Sequence, residues 1–245
     1  IFFRLASGAL ASGEISPQAY RRLVLTSDAL NRHTNVIGYF HQGITAHREL
    51  PTTQQRDLLS LYRATALKII ANDSLTEIEP HIPKLSENPY SASLGHLLEA
   101  ILHVDSGMLD EAKASITDAH LDPSISPMVE ALNCRVHISQ GEWLDALILM
   151  NAMQKQWESM PAVQREWQTV LLGDQHRMRL LRAYCYLQLG QHEWAEVLLA
   201  QLEWSPLRAH ARQLRVTSLI RSEMFQDAWK LLRISRDEEP DDSVL

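Results

Sequence analysis

An internal repeat of 34 residues constrains this chain more than any other feature. Gly107 and Gly141, Ala112 and Ala146, His103 and His137, and Pro89 and Pro123 are each separated by that interval. Aligned on the glycines, Gly107-Met108-Leu109-Asp110-Glu111-Ala112 matches Gly141-Glu142-Trp143-Leu144-Asp145-Ala146. Gly190-Gln191-His192-Glu193-Trp194-Ala195 and Glu223-Met224-Phe225-Gln226-Asp227-Ala228 continue the series. Each alanine is followed four residues later by a large apolar side chain: Ile116, Met150, Leu199 and Leu232. A fixed period of this length marks stacked supersecondary units, none of which can bury its apolar face alone.

The units are helical. Leu94, Leu97, Leu98, Ile101 and Val104, and later Leu180, Leu181, Tyr184, Cys185 and Leu187, follow the spacing of one helix face. Only 9 glycines and 10 prolines occur in 245 residues, too few for the frequent turns of a β-sandwich or barrel. Helices are predicted over 2–12, 17–31, 34–49, 53–71, 75–87, 91–105, 109–121, 127–140, 143–157, 162–189, 192–203, 207–222 and 225–236. The 162–189 segment reads as one long helix, with a break at Gly173 as the alternative. Ser16-Pro17, Asp73-Ser74, Ser126-Pro127 and Ser205-Pro206 mark starts, and Gly13, Gly107, Gly141 and Gly190 mark stops.

These motifs resemble the tetratricopeptide repeat, a 34-residue helix–turn–helix with a small residue in its first helix, a turn glycine and an alanine in its second. The small position falls on Ala66, Ala100, Cys134, Ala183 and Val216. Small side chains there permit the two helices to cross at about 8–10 Å. The resemblance implies an all-α, right-handed α–α superhelix, a solenoid with an N-terminal helical cap. Residues 1–52 are the expected cap, 53–240 five repeats with an insert near 157–173, and 241–245 an acidic tail. The first repeat departs from the pattern, with Asp73 and Ile78 in place of glycine and alanine. Residues 1–49 do not fit the repeat well.

The resemblance also implies a concave groove lined by the first helix of each pair. Transferred position by position, the partner-binding residues are Arg63, Leu94, Leu97, Ile101, Met128, Arg135, Arg177, Tyr184 and Arg221. The groove is then apolar in its centre with four arginines along it, suited to an amphipathic helix or extended peptide bearing acids. The competing reading makes the apolar stripe intramolecular core. Trp143, Trp194 and Trp229 are expected in the core, and Trp157, Trp167 and Trp204 are candidate partner contacts.

No phosphate-binding glycine loop, HExxH, CxxC or GxSxG occurs, so no catalytic residue, cofactor or metal site is expected. The histidines read as inter-helix residues with one nitrogen hydrogen-bonded, since no carboxylate or cysteine stands at ligand spacing. The net charge of −7 argues against a nucleic-acid surface. It divides into +4 over 1–72, −10 over 73–145, zero over 146–172, +4 over 173–236 and −5 over 237–245. Such polarity would steer self-association or a charged partner, unless it is only a solvated mixed face. No run of 18 apolar residues spans a membrane. The two cysteines, Cys134 and Cys185, read as buried free thiols, favouring the cytoplasm while leaving the periplasm open. Ile1 in first place reads as the start of a piece of a longer protein.

The function expected is therefore non-catalytic protein–protein interaction, as a scaffold or adaptor arm in a larger bacterial-type assembly. The alternative is an effector-sensing helical-repeat domain of a transcription regulator. A third, an enzyme with its site in the insert or cap, lacks any motif.

Overall fold

In the computed structural model, the described residues are 17–46, 63, 65–67, 69–71, 75–87, 89, 91–120 and 125–238. All their regular structure is helical, and no strand occurs among them. The α-helices are α1 (Pro17–Ala29), α2 (His33–Ala46), α3 (Ile82–Ser86), α4 (Ala92–Asp105), α5 (Leu109–Ala119) and α6 (Ser126–Gln140), followed by α7 (Trp143–Gln156), α8 (Ala162–Leu172), α9 (Gln175–Gln188), α10 (His192–Ala200), α11 (Arg208–Arg221) and α12 (Phe225–Glu238). Residues 63, 65–67 and 69–71 are also helical. The expected helix 2–12, residues 53–62 and the acidic tail lie outside the described residues.

The architecture is a series of helix pairs, and one turn builds them. After α4, Gly107 donates to the Val104 carbonyl at 3.1 Å and Met108 to the His103 carbonyl at 2.8 Å. This crossed pair satisfies the orphaned carbonyls of the helix end, and it requires a left-handed residue between them. Gly107 supplies it with φ 75°. Gly141 and Gly190 repeat the turn with φ 76° and 71°, and Glu223 does so with φ 60°. The next helix then opens in the same way each time: Ala112, Ala146, Ala195 and Ala228 donate to the carbonyls of Met108, Glu142, Gln191 and Met224. The sequence register is thus a register of hydrogen bonds.

A fifth copy lies where the sequence did not fit the repeat. Asn31, with φ 54°, donates to Asp28 at 2.9 Å, Arg32 to Ser27 at 2.9 Å and Val36 to Arg32 at 3.2 Å. Asparagine tolerates the left-handed region, so it stands in for glycine. Val36 occupies the alanine position, and Val24 faces it from the small position of α1; both are fully buried. Gly43 completes the close approach, since a Cβ there would meet the Tyr20 ring at 3.0 Å. The α1–α2 pair is therefore a hairpin of the common type, with valine at both crossing positions.

Two expected helices change. Residues 75–87 form two single 3-10 turns, Leu75–Glu77 and Glu79–His81, and then the five-residue α3. Pro80 and Pro83 remove donors that a continuous helix would need. Ile78, Ile82 and Leu85 still point inward, so this segment covers α4 without being a second helix. Its backbone lies so close to α4 that a Cβ on Gly95 would fall 2.6 Å from the Ser86 nitrogen. The predicted long helix 162–189 is two helices. Gly173 takes φ 92°, and the Asp174 carboxylate caps α9 by accepting from the Arg177 N–H at 2.8 Å.

The described residues cluster into two compact units, Ile1–Leu132 with Ala162–Val170, and Asn133–Pro161 with Leu171–Leu245. In the second unit the pairing is serial. The α9 helix packs on α7 and on its own partner α10, and α11 packs on α10, α9 and its partner α12. Ala183, Leu187, Ala195, Leu199, Leu202 and Ala211 form one buried cluster there. At the small positions Cys134 donates to the Ala146 carbonyl, at 3.7 Å, from one helix of a pair to the other. Both cysteines are free and buried, as the sequence implied. Burial pushes the Cys134 thiol up to about 12 and the Cys185 thiol up to about 11. The joint between α10 and α11 carries ions as well as apolar contacts. Arg212, buried on α11, donates from Nε to Glu203 at 2.8 Å, and Arg215 pairs with Glu196 and, at 3.7 Å, with Glu203.

Candidate partner-binding site

The nine residues assigned to a groove separate into three groups. Leu94, Leu97, Ile101 and Met128 are buried and form part of the core, not an open apolar stripe. The cause is the direction of the first-helix face: positions that carry leucine and isoleucine at helical spacing turn inward here. Tyr184 is half-buried, with its ring edge-to-face against Trp143 at 5.5 Å. Arg63 is half-buried, and Arg221 is exposed in the last turn of α11.

Arg135 and Arg177 form the third group, and the fold brings them together. Arg135 is half-buried on α6, and Arg177 is exposed one turn into α9. They line one pocket of about 160 Å³ with Ile138, Ser139, Leu171, Leu172 and Leu181. The break at Gly173 builds this pocket. It ends α8 with Leu171 and Leu172 and restarts the chain so that Arg177 follows within four residues. A continuous helix would have sent Arg177 along the same axis as Leu172. The chemistry is two guanidinium groups and a hydroxyl over aliphatic side chains. That combination accepts a carboxylate next to an apolar group. Leu171 and Leu172 were not singled out as site residues, although an apolar pair directly before Gly173-Asp174 is the signal that could have found them.

The tryptophans differ from expectation. Trp194 and Trp229, read as core, are exposed, and Trp194 stacks on Tyr186 at 6.4 Å. Trp167, read as a partner contact, is fully buried on α8; Trp204 is exposed, and Trp157 is half-buried. The exposed apolar residues include Leu144, Ile148, Trp194 and Val197, all on second helices of pairs, where the groove reading placed none.

Among the described residues, His96, His103, His137 and His192 each have one ring nitrogen engaged, whereas the buried Nδ1 atoms of His41 and His176 do not. His103 Nδ1 meets Ser115 Oγ at 3.4 Å, and His192 Nδ1 meets Ser218 Oγ at 2.8 Å. At the Gly141 turn His137 Nδ1 lies 2.5 Å from Glu142 Oε2, and Asp145 comes within 4.8 Å of both. The sequence argument found no carboxylate at ligand spacing; the turn supplies two. The His137–Glu142 bond reinforces the backbone bond that the same two residues make across the turn. No family model matches the chain, and no curated protein matches it.

Proposed function

We propose that this chain is a non-catalytic protein-interaction module, built on tetratricopeptide-type hairpins, that takes an acidic, partly apolar peptide or helix of a partner protein. The observation that carries this reading is the Arg135–Arg177 pocket, where two arginines from different hairpins converge beside Ile138 and Leu181. Convergent guanidinium groups favour a carboxylate, and the aliphatic wall favours an apolar neighbour on the same segment. Size decides between a peptide side chain and a free effector. At about 160 Å³ the pocket is smaller than the roughly 300–1,000 Å³ that small-molecule sites usually enclose. It suits one or two side chains of a longer segment bound across the surface, so the effector-sensing alternative gains nothing from it.

The test uses a fluorescein-labelled amphipathic peptide of leucine and glutamate, with glutamine and lysine versions as controls. The glutamate peptide should bind at least tenfold more tightly than either control. Arg177→Glu should abolish that preference without loss of helical circular dichroism, because its side chain is exposed. Added salt should weaken binding. Equal affinity for the three peptides, or indifference to Arg177→Glu, overturns the reading.

A further inference from the structure

The Gly141 turn carries a donor set that its sister turns lack. Its backbone fixes the end of α6 against the start of α7: Glu142 donates to the His137 carbonyl at 2.9 Å, and Ala146 to the Glu142 carbonyl at 3.1 Å. The side chains of the same segment converge. His137 Nδ1 lies 2.5 Å from Glu142 Oε2, and ligand atoms of His137, Glu142 and Asp145 all fall within 4.8 Å of one another. Glu142 holds the N-cap position of α7 yet makes no cap hydrogen bond with its side chain; the carboxylate turns back to the histidine. Asp145, three residues on, lies on the same helix face and is exposed. Acids in the first turn stabilise a helix by themselves, and α5, α10 and α12 have theirs. The other three turns, however, place Met108, Gln191 and Met224 where Glu142 stands, and His103, the equivalent of His137, turns to Ser115 Oγ. Of these four turns, Gly141 alone presents an imidazole and two carboxylates together.

We propose that His137, Glu142 and Asp145 bind a divalent transition cation of the zinc class, which fastens α6 to α7 across their turn. One imidazole nitrogen with two carboxylate oxygens is a set that suits zinc, whereas magnesium and calcium take oxygen ligands. A tetrahedral zinc held at about 2.0–2.2 Å keeps its ligand atoms roughly 3.3 Å apart. The His137–Glu142 pair has to open by less than about 1 Å, and Asp145 has to swing inward; side-chain rotation supplies both while the backbone turn stays closed. Ordering is then confined to three side chains, because the turn already holds the main chain in place. The proton between Nδ1 and Oε2 gives way to the cation and passes to Nε2 or to solvent, so binding weakens as pH falls. The His137 side chain is 18% exposed and that of Glu142 39%, which shields one side of the site. The fourth ligand is water, on the open side by Asp145. Three ligands, one of them exposed, place the affinity in the micromolar class. The site lies within one hairpin and is independent of the Arg135–Arg177 pocket and of any partner held there.

Calorimetric titration of the intact, chelator-stripped chain with zinc chloride near neutral pH tests this. One zinc per chain should bind with a micromolar Kd, and zinc should raise the Tm by several degrees. His137→Gln, Glu142→Gln and Asp145→Asn should each weaken that binding at least tenfold and abolish the Tm rise. His103→Gln, the same change at the neighbouring turn, should leave both unchanged. Magnesium in about a thousandfold excess should not displace the zinc. Asp145→Asn alters only an exposed side chain, so its loss of zinc with unchanged helical circular dichroism is a loss of the site and not of the fold. No zinc uptake, uptake that survives all three substitutions, equal loss with His103→Gln, or displacement by magnesium overturns the proposal.

Discussion

Hairpins α9–α10 and α11–α12 are two solutions with one turn. In the first, glycine supplies the left-handed residue, alanine occupies both crossing positions, and the outer edge is sealed by α11 through His192, Glu196 and Glu203. In the second, Glu223 takes the left-handed conformation, Val216 faces Ala228 across the crossing, and Phe225 and Trp229 stand open. The hairpin itself therefore tolerates substitution at its turn and crossing. What distinguishes the two is whether a further helix closes the edge.

Removing the seal should have the largest effect. Glu203→Ala takes away the carboxylate that Arg212 donates to and leaves a buried guanidinium poorly compensated. Breaking a buried ion pair costs about 3–5 kcal/mol; with Glu203 partly exposed, about 2–3 kcal/mol is expected, read by urea unfolding. Deleting Lys230, whose bond to Asp227 lies on the exposed face of α12, should cost almost nothing by comparison.

Buried thiols separate the pairs by pH. Cys134 and Cys185 are held protonated by burial, with thiols at about 12 and about 11, whereas the α11–α12 pair contains no cysteine. The unfolded thiols lose their protons near pH 8.5–9, so above that range the unfolded state binds fewer protons and stability falls as pH rises. The loss should reach roughly 2 kcal/mol or more by pH 10.5, and Cys134→Ala should remove a large part of it. A Tm that stays flat from pH 8 to 10.5 would show that the thiols are not buried as described.

The turns come next. Gly190→Ala meets no neighbour within 4 Å, so its cost is conformational alone, about 1 kcal/mol for a side chain at φ 71°. Glu223→Gly is the mirror experiment. It relieves a non-glycine residue at φ 60° and should stabilise by about 0.5 kcal/mol, smaller than the Gly190→Ala effect and opposite in sign. If the two substitutions shift the denaturation midpoint in the same direction, the turns are not equivalent.

Much of this comparison was legible in the residues. The register of Ala112, Ala146, Ala195 and Ala228 identified every second helix that follows a glycine turn, and it placed Glu223 as a glycine equivalent. The register failed where chemistry was conserved under different letters. Asn31 and Val36 do the work of glycine and alanine, and no spacing rule ties them to the repeat. At 75–87 the apolar pattern was right, but Pro80 and Pro83 replaced one helix with short turns that bury the same side chains. The groove was lost for another reason. Helical periodicity says which residues share a face but not which side of a pair that face meets, so Leu94, Leu97 and Ile101 were found as a stripe and assigned to solvent. Arg135 and Arg177 were both named from the sequence, and they line one pocket. Their convergence depends on the bend at Gly173, which the continuous apolar phase concealed.

The crossed turn also bears on how the chain reaches its native state. Each of the five turns is closed by hydrogen bonds that span only three to five residues, and each joins helices adjacent in sequence. Contacts this local have a low closure cost, and chains rich in them fold quickly. Any of the five hairpins can therefore serve as the nucleus. Glu223, which takes the left-handed conformation without glycine's freedom or asparagine's tolerance for it, makes α11–α12 the last to form and the first to open.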